Sequence, residues 1–146
     1  MSGLPEEKGR LARQWLEKAE GDLASAQHLL KLPDSECHFD VVCFHAQQCS
    51  EKSLKAFLVL HAIPFGRSHD LGELLEMCTM DRQLIRELDQ IDNLTPYAVE
   101  ARYPGEWEPF DRAKAKEAVT LANRVYGAIK ARLGTKRKCS LGVFGS

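Results

Sequence analysis

The amino-acid sequence predicts an all-α protein, an up-and-down bundle of five to six helices, from three observations. Apolar residues recur at intervals of three and four through most of the 146 residues, which is the spacing of an amphipathic helix. The connections between these segments are short and carry proline, glycine or capping residues. No segment before residue 135 has the alternating pattern of a strand. Successive helices joined by short loops pack as antiparallel neighbours, which gives the up-and-down arrangement.

The chain begins with two long predicted helices that form a hairpin. The first starts at Pro5, which suits the first position of a helix, and ends at Leu30 before the turn at Pro33. The second runs from Phe39 to His61 and has the longest apolar stripe, so the other helices are expected to pack along it. A polar line follows its other side: Gln48, Glu51, Lys52 and Lys55. This line is interpreted either as a solvated helix face or as part of a site.

Shorter helices are predicted after residue 66, and a final long helix closes the domain. Side chains suited to helix N-termini mark where these elements begin: Ser68, Asp81, Thr95 and Asp111. The last helix repeats small and branched apolar residues and is expected to end at Gly134. The sequence therefore predicts a bundle over residues 5–134 and a basic, disordered tail over residues 135–146.

Composition limits the function classes. Twenty basic and 21 acidic residues give a net charge of −1, so no global field draws the protein to nucleic acid or a membrane. The lack of a signal-like or membrane-spanning segment predicts a cytoplasmic protein. Five cysteines without CxxC spacing indicate reduced thiols. His45 and Cys49 have the spacing of two metal ligands on a helix, but the nearby thiols do not converge. We therefore expect buried cysteines, with no metal and no cofactor.

Three polar segments outside the predicted core could carry function. Arg67-Ser68-His69-Asp70 stands at a helix start, where it is either an anion site or a plain helix cap. Arg102 precedes Tyr103-Pro104, and proline restricts the backbone of the residue before it, which orients this part of the chain. Arg102 could then either bind a planar anion or bridge helix ends. The basic run at residues 136–138 is either a solvated tail or a nucleic-acid contact.

Four motifs occur in an order and spacing that resemble a known family. They are Trp15 with Ala19, Asp22-Leu23 and Ala26; Phe44-x-x-Gln47-Gln48-x-x-Glu51-Lys52-x-x-Lys55-Ala56; His69-Asp70-Leu71; and Arg102-Tyr103-Pro104. Over about residues 10–133 the chain resembles the HEPN family (higher eukaryotes and prokaryotes nucleotide-binding domain). The resemblance implies a helical bundle that is commonly dimeric and binds nucleotides. It also implies a partner, a small minimal nucleotidyltransferase, in a two-component system of toxin-antitoxin type.

One branch of that family consists of metal-independent ribonucleases, marked by an arginine four to six residues before a histidine. This sequence has no such pair, since Arg67 and His69 are too close together. The resemblance therefore implies a non-catalytic module, expected to be a homodimer, that binds a nucleotide or RNA phosphate. Arg67 and Arg102 would hold the phosphate, and His69 and Lys52 would support it. Either Tyr103 or Phe44 would offer a ring face to a base.

Two other functions are left open by these residues. One is a metal-independent ribonuclease toxin that uses His69 and Arg102. The other is a structural assembly subunit without a ligand. All site hypotheses require the cationic and imidazole groups to border one cleft. Residues 141–146 also look like the strand and Gly-Ser turn that begin a minimal nucleotidyltransferase, but the metal-binding aspartates do not follow, so a disordered end is preferred.

Overall fold

The computed structural model describes the backbone of residues 3–100 and 109–145, and the side chains of residues 6–98 and 109–134. Its helices are, in order, α1 (Gly3–Leu30), α2 (Phe39–Leu60), α3 (Leu71–Glu76), α4 (Arg82–Glu87), a 3-10 helix (Ile91–Leu94), α5 (Tyr97–Glu100) and α6 (Arg112–Gly145). No strand occurs in this described backbone. The predicted all-α bundle is therefore confirmed.

The core surrounds α2, which packs against α1, α3, α5, α6 and the 3-10 helix. On α1, the fully buried Ala12, Ala19 and Ala26 recur every seventh residue, with Leu16 and Leu23 buried beside them. The interaxial distance of packed helices depends on the side chains between them, so this face allows a close approach. Leu54, Phe57 and Leu58 of α2 are buried as well, as are the residues of α6 predicted to face inward: Ala115, Ala118, Ala122, Val125 and Ile129.

Aspartates cap three of the helices. Asp81 accepts a hydrogen bond from the Leu84 backbone N–H at 2.9 Å, which confirms the predicted cap of α4. Asp111 accepts one from the Lys114 N–H at 2.7 Å at the start of α6. The predicted cap of α3 is wrong, because α3 begins at Leu71 and the carboxylate of Asp70 accepts from the Glu73 N–H.

Ser68 has a different role from the predicted cap. Its hydroxyl donates to the Glu73 carboxylate at 2.7 Å and accepts from the Asp70 N–H at 3.3 Å. These bonds fix the backbone just before α3. They therefore also hold the segment that carries His69.

The predicted end of the last helix is also wrong, because α6 continues past Gly134 to Gly145. A glycine inside a helix costs only about 1 kcal/mol relative to alanine, and no proline follows to stop the chain. Lysine, arginine and leucine after Gly134 are good helix formers. The division into a bundle over residues 5–134 and a tail over 135–146 stays a prediction.

Arg112 joins the beginning of α6 to the end of α1. Its guanidinium donates to the backbone carbonyls of Leu30 and Leu32 and to the Asp34 carboxylate, each at 2.6 Å. The carbonyls at a helix C-terminus lack partners within the helix, so this contact satisfies groups that α1 leaves open. No helix among the described residues has the length and apolarity needed to cross a membrane.

Candidate functional site

The polar line of α2 is largely buried, which corrects its interpretation as a solvated helix face. Glu51 and Lys55 form an ion pair at 3.0 Å, and their side chains are only 6% and 7% exposed. The segment between α2 and α3 covers this side, since its Phe65 approaches Lys55 and its His69 reaches Glu51. Two unit charges are therefore removed from most of the solvent, which is costly unless each is paired and hydrogen-bonded.

Within the described part of the chain, three donors surround the Glu51 carboxylate. Gln47 Nε2 donates to one oxygen at 3.1 Å, and Lys55 Nζ donates to the other at 3.0 Å. His69 Nδ1 also lies 3.0 Å from that second oxygen. Burial alone would raise the pKa of Glu51, but the hydrogen bonds from His69, Gln47 and Lys55 outweigh it and lower the pKa below its ordinary value. Glu51 is therefore ionised at neutral pH.

The imidazole of His69 stands at the surface with one nitrogen bound inward. Its side chain is 68% exposed, although its Nδ1 reaches the nearly buried Glu51 carboxylate. An ionised carboxylate only accepts hydrogen bonds, so Nδ1 carries the hydrogen. The other nitrogen, Nε2, lies on the opposite side of the ring and is the one available to a ligand.

Two aromatic rings, those of Trp15 and Phe65, lie close to the ammonium group of Lys55. Its ammonium lies 5.7 Å from the centre of the Trp15 ring and 5.2 Å from that of Phe65. The two rings meet edge to face with their centres 6.1 Å apart. The negative faces of aromatic rings attract a cation, which helps to offset the lost hydration of Lys55.

A second charged group joins α1 to α2. Asp22 accepts a hydrogen bond from Lys52 Nζ at 2.7 Å and lies 2.9 Å from His45 Nδ1. The side chain of Asp22 is mostly buried, and those of Lys52 and His45 are about a quarter exposed. Lys52 is therefore an ion-paired residue that keeps part of its side chain at the surface, and it follows Glu51 directly on α2.

The structure brings together some of the predicted site residues. Arg67 is exposed and, among the described residues, forms no hydrogen bond or ion pair. It stands two residues before His69 on the same segment, and His69 binds the neighbour of Lys52. Arg102 and Tyr103 lie outside the described residues, so their place beside this group stays a prediction.

The i, i+4 spacing on α2 predicted the ion pair of Glu51 with Lys55, which the structure contains. The sequence did not predict the contact of Glu51 with His69 or those of Asp22 with His45 and Lys52. Glu51 and Asp22 organise the site. The Glu51 carboxylate holds Lys55 of α2 and His69 of the following segment. Asp22, on α1, holds His45 and Lys52 of α2. The i, i+4 spacing of Gln47, Glu51 and Lys55 was visible beforehand as a helix-face pattern. The partners that lie far apart in the sequence could not be recognised from this pattern.

The described cysteines lie in the buried core of the bundle. No three potential ligands converge within the described part of the chain. Cys37, Cys43, Cys49 and Cys78 are buried free thiols, which confirms the prediction of reduced, buried cysteines for these four. Burial raises the pKa of Cys49 and that of Cys78 to about 12, so both remain protonated.

A separate groove of about 380 Å³ lies between α1 and α6. The Tyr126 hydroxyl donates to the Glu20 carboxylate in its wall, and burial together with Glu20 raises the pKa of Tyr126. Arg13 and Lys130 add positive charge to the same groove. None of the described residues that line it was predicted as a site residue.

These features define a class of protein: a small helical bundle whose central helix organises a surface histidine and neighbouring cationic side chains. The family model described as HEPN domain matches residues 12–132. The chain therefore belongs to the HEPN family, as its motifs predicted. It is similar to "Putative toxin MJ1304" of Methanocaldococcus jannaschii, at 32% identity over 83% of this chain and 87% of that protein.

Two solved structures have a similar fold. TT1696 from Thermus thermophilus is 29% identical, with a TM-score of 0.67 over 82% of this chain and 95% of the other. ST0689, described as an archaeal HEPN homologue, is 25% identical, with a TM-score of 0.65 over 84% of this chain and 97% of the other. The similarity covers most of each molecule, so the whole bundle is shared.

Proposed function

We propose that this chain is a phosphate-binding HEPN module that takes a nucleotide or an RNA phosphate at Arg67 and His69. The observation that carries the proposal is the exposed imidazole of His69, held by a nearly buried carboxylate, two residues from an arginine without a partner among the described residues. An arginine fork and a protonated imidazole are both suited to phosphate oxygens. The site is small and local, in agreement with the nearly neutral net charge.

Further residues are part of this proposal. Lys52 would add positive charge from α2, although it shares its ammonium with Asp22. Arg102 would provide a second guanidinium, and Tyr103 would provide a ring for stacking on a base. These last two assignments rest on the family resemblance of Arg102-Tyr103-Pro104.

We also propose a cellular setting. The module would act in the cytoplasm as a homodimer, in a two-component system of toxin-antitoxin type, beside a minimal nucleotidyltransferase. Family membership and the relative named as a toxin support the toxin-antitoxin setting. The motif resemblance supports the nucleotidyltransferase partner and the branch without the ribonuclease motif.

Isothermal titration calorimetry with a panel of nucleotides and short RNAs tests the binding function. We expect Arg67→Ala to weaken binding about tenfold, the usual effect of losing one hydrogen bond to a charged group. Arg102→Ala should have a similar effect. Arg86→Ala removes another exposed arginine, on α4, and should leave binding unchanged. Absence of binding across the panel would remove the proposal.

A second function, a metal-independent ribonuclease, is favoured by the Glu51–His69 contact. A carboxylate that holds one imidazole nitrogen and leaves the other open is the arrangement of a general base. In this function His69 would act on RNA and Arg102 would stabilise the phosphate. It predicts RNA cleavage in the presence of a chelator, lost in His69→Ala, and growth arrest when the chain is expressed alone. Intact RNA at high protein concentration would exclude it.

A further inference from the structure

Among the described residues of the proposed site, Glu51 has its hydrogen bond with His69. The carboxylate is nearly buried, and its other two donors, Gln47 and Lys55, are buried as well. Replacing a buried ion pair by apolar residues of similar volume is often neutral or stabilising, so stability alone does not require charges here. The arrangement does fix the orientation and tautomer of an exposed imidazole.

The tautomer decides what His69 offers to an anion. When the ring is neutral, its one hydrogen is on Nδ1 and faces Glu51, so Nε2 presents a lone pair to the outside. A lone pair repels a phosphate oxygen and cannot donate to it. When the ring is protonated, Nε2–H becomes a charged donor that faces outward.

We infer that Glu51 is a positioning residue that makes phosphate binding at His69 depend on protonation, because it removes the neutral tautomer that could still donate through Nε2. The inference rests on the proposed function. Histidine is the side chain that proteins most often use as a switch in the physiological pH range. The phosphate would bind the protonated form and be released as the pH rises.

Other charged groups lie on the elements around His69. From α2 these are Glu51 and Lys55, and Arg67 and Asp70 come from its own segment. Glu73 of α3 bonds to Ser68, and Asp92 of the 3-10 helix accepts from the Gly72 N–H. Glu51 is the one of these carboxylates that the structure places in contact with the His69 ring.

The first experiment reads the tautomer directly by long-range proton–nitrogen NMR of the full chain at high pH. The inference expects a protonated Nδ1 and a bare Nε2 in the native protein. A protonated Nε2 would overturn it without any ligand or variant. The double variant Glu51→Gln/Lys55→Met should show a mixture of both tautomers, because an amide can accept from or donate to Nδ1.

The second experiment measures binding of the dinucleotide d(TpT) by NMR titration from pH 5.5 to 8.0. This probe has a phosphodiester of constant charge in that range and no 2′-hydroxyl that a ribonuclease could use. We expect its affinity for the native protein to fall about tenfold with rising pH, which is the effect of one charged hydrogen bond. The double variant keeps the same net charge and should change less than about threefold.

A matched control and the opposing outcomes separate the inference from the proposed function. Asp81→Asn/Arg132→Met removes a different ion pair, between the start of α4 and α6, and should keep the tenfold dependence. If binding of d(TpT) to the native protein does not change with pH, the inference is overturned and the proposed function stands. The same conclusion follows if the affinity of the Glu51→Gln/Lys55→Met variant falls with rising pH as much as that of the native protein. Absence of d(TpT) binding at every pH removes the phosphate site, and the inference with it.

Discussion

The buried ion pair between Glu51 and Lys55 is the feature with the largest expected effect on stability. We predict that Glu51→Gln and Lys55→Met each lower the free energy of unfolding by about 3 kcal/mol, because each leaves a buried charge without its counter-charge. The double variant removes both charges and keeps similar volumes. It should therefore lie within about 1 kcal/mol of the native protein.

The magnitude follows from the burial of the pair. At 6% and 7% exposure the two side chains are nearly removed from water, so the value of about 0–1 kcal/mol for surface ion pairs does not apply. In a chain of this size 1 kcal/mol shifts the melting temperature by roughly 2–4 °C. Each single substitution should therefore lower the melting temperature by about 6–12 °C, and the double substitution by at most about 4 °C.

Urea unfolding at neutral pH, followed by circular dichroism, measures all four members of this cycle. Asp34→Asn provides a surface control, since the Asp34 side chain is 77% exposed in its pair with Arg112 and should contribute less than about 1 kcal/mol. The reasoning is refuted if Glu51→Gln costs no more than Asp34→Asn. It is also refuted if the two core substitutions are additive.

Three further predictions follow from the geometry and the pKa directions. Arg112→Ala should lower the free energy of unfolding by about 2 kcal/mol, because two backbone carbonyls and a carboxylate lose a donor, whereas Lys114→Ala should have little effect in the same urea assay. The lowered pKa of Glu51 adds stability that is present above the unfolded value of about 4.5 and is lost as the pH falls through that value and then through the lower folded pKa. Acid titration of the Glu51→Gln/Lys55→Met variant should show a shallower loss of stability in this window. Cys49 and Cys78, with pKa values raised from 9.0 to about 12, should have about a thousandfold smaller thiolate fraction at pH 8 and resist alkylation, as mass spectrometry of labelled peptides would detect.

For each of these three predictions, one experimental result would contradict it. A loss from Arg112→Ala no larger than that from Lys114→Ala would mean that the end of α1 does not depend on the clamp. If the double variant loses unfolding free energy with falling pH as steeply as the native protein, the assigned direction of the Glu51 pKa is contradicted. Labelling of Cys49 or Cys78 in folded protein as fast as in urea would contradict their burial.

The spacing of apolar residues and the positions of capping residues predicted most of the fold. The buried face of α1, with Ala12, Ala19 and Ala26, and the inward residues of α6 follow directly from helical periodicity. The cap at Asp81 follows from residue type and position. Where two capping residues stand close together, at Ser68 and Asp70, the pattern predicted Ser68, whereas the structure has Asp70 as the cap. A distant residue contributes to the same helix start, since Thr95 accepts a hydrogen bond from the Leu71 N–H.

The candidate site was less accessible to sequence reasoning. A helix with an apolar stripe and a polar line has the same pattern whether the polar line meets water or another segment. The partners that decide this are distant in the chain: His69 is 18 residues from Glu51, and Asp22 is 30 residues from Lys52. Periodicity contains no information about such pairs. The motif resemblance identified several of the residues, but not which carboxylate holds which cation.

The alanines of α1 have a consequence for the chemistry nearby, although they carry no functional group. Because Ala12, Ala19 and Ala26 are fully buried and small, they allow a narrow gap between α1 and the helices packed against it, α2 and α6. Lys52 reaches Asp22 across the gap between α1 and α2, and Lys55 reaches the Trp15 ring across the same gap. A bulkier residue at any of the three positions would widen it and shift every polar contact between the two helices at once.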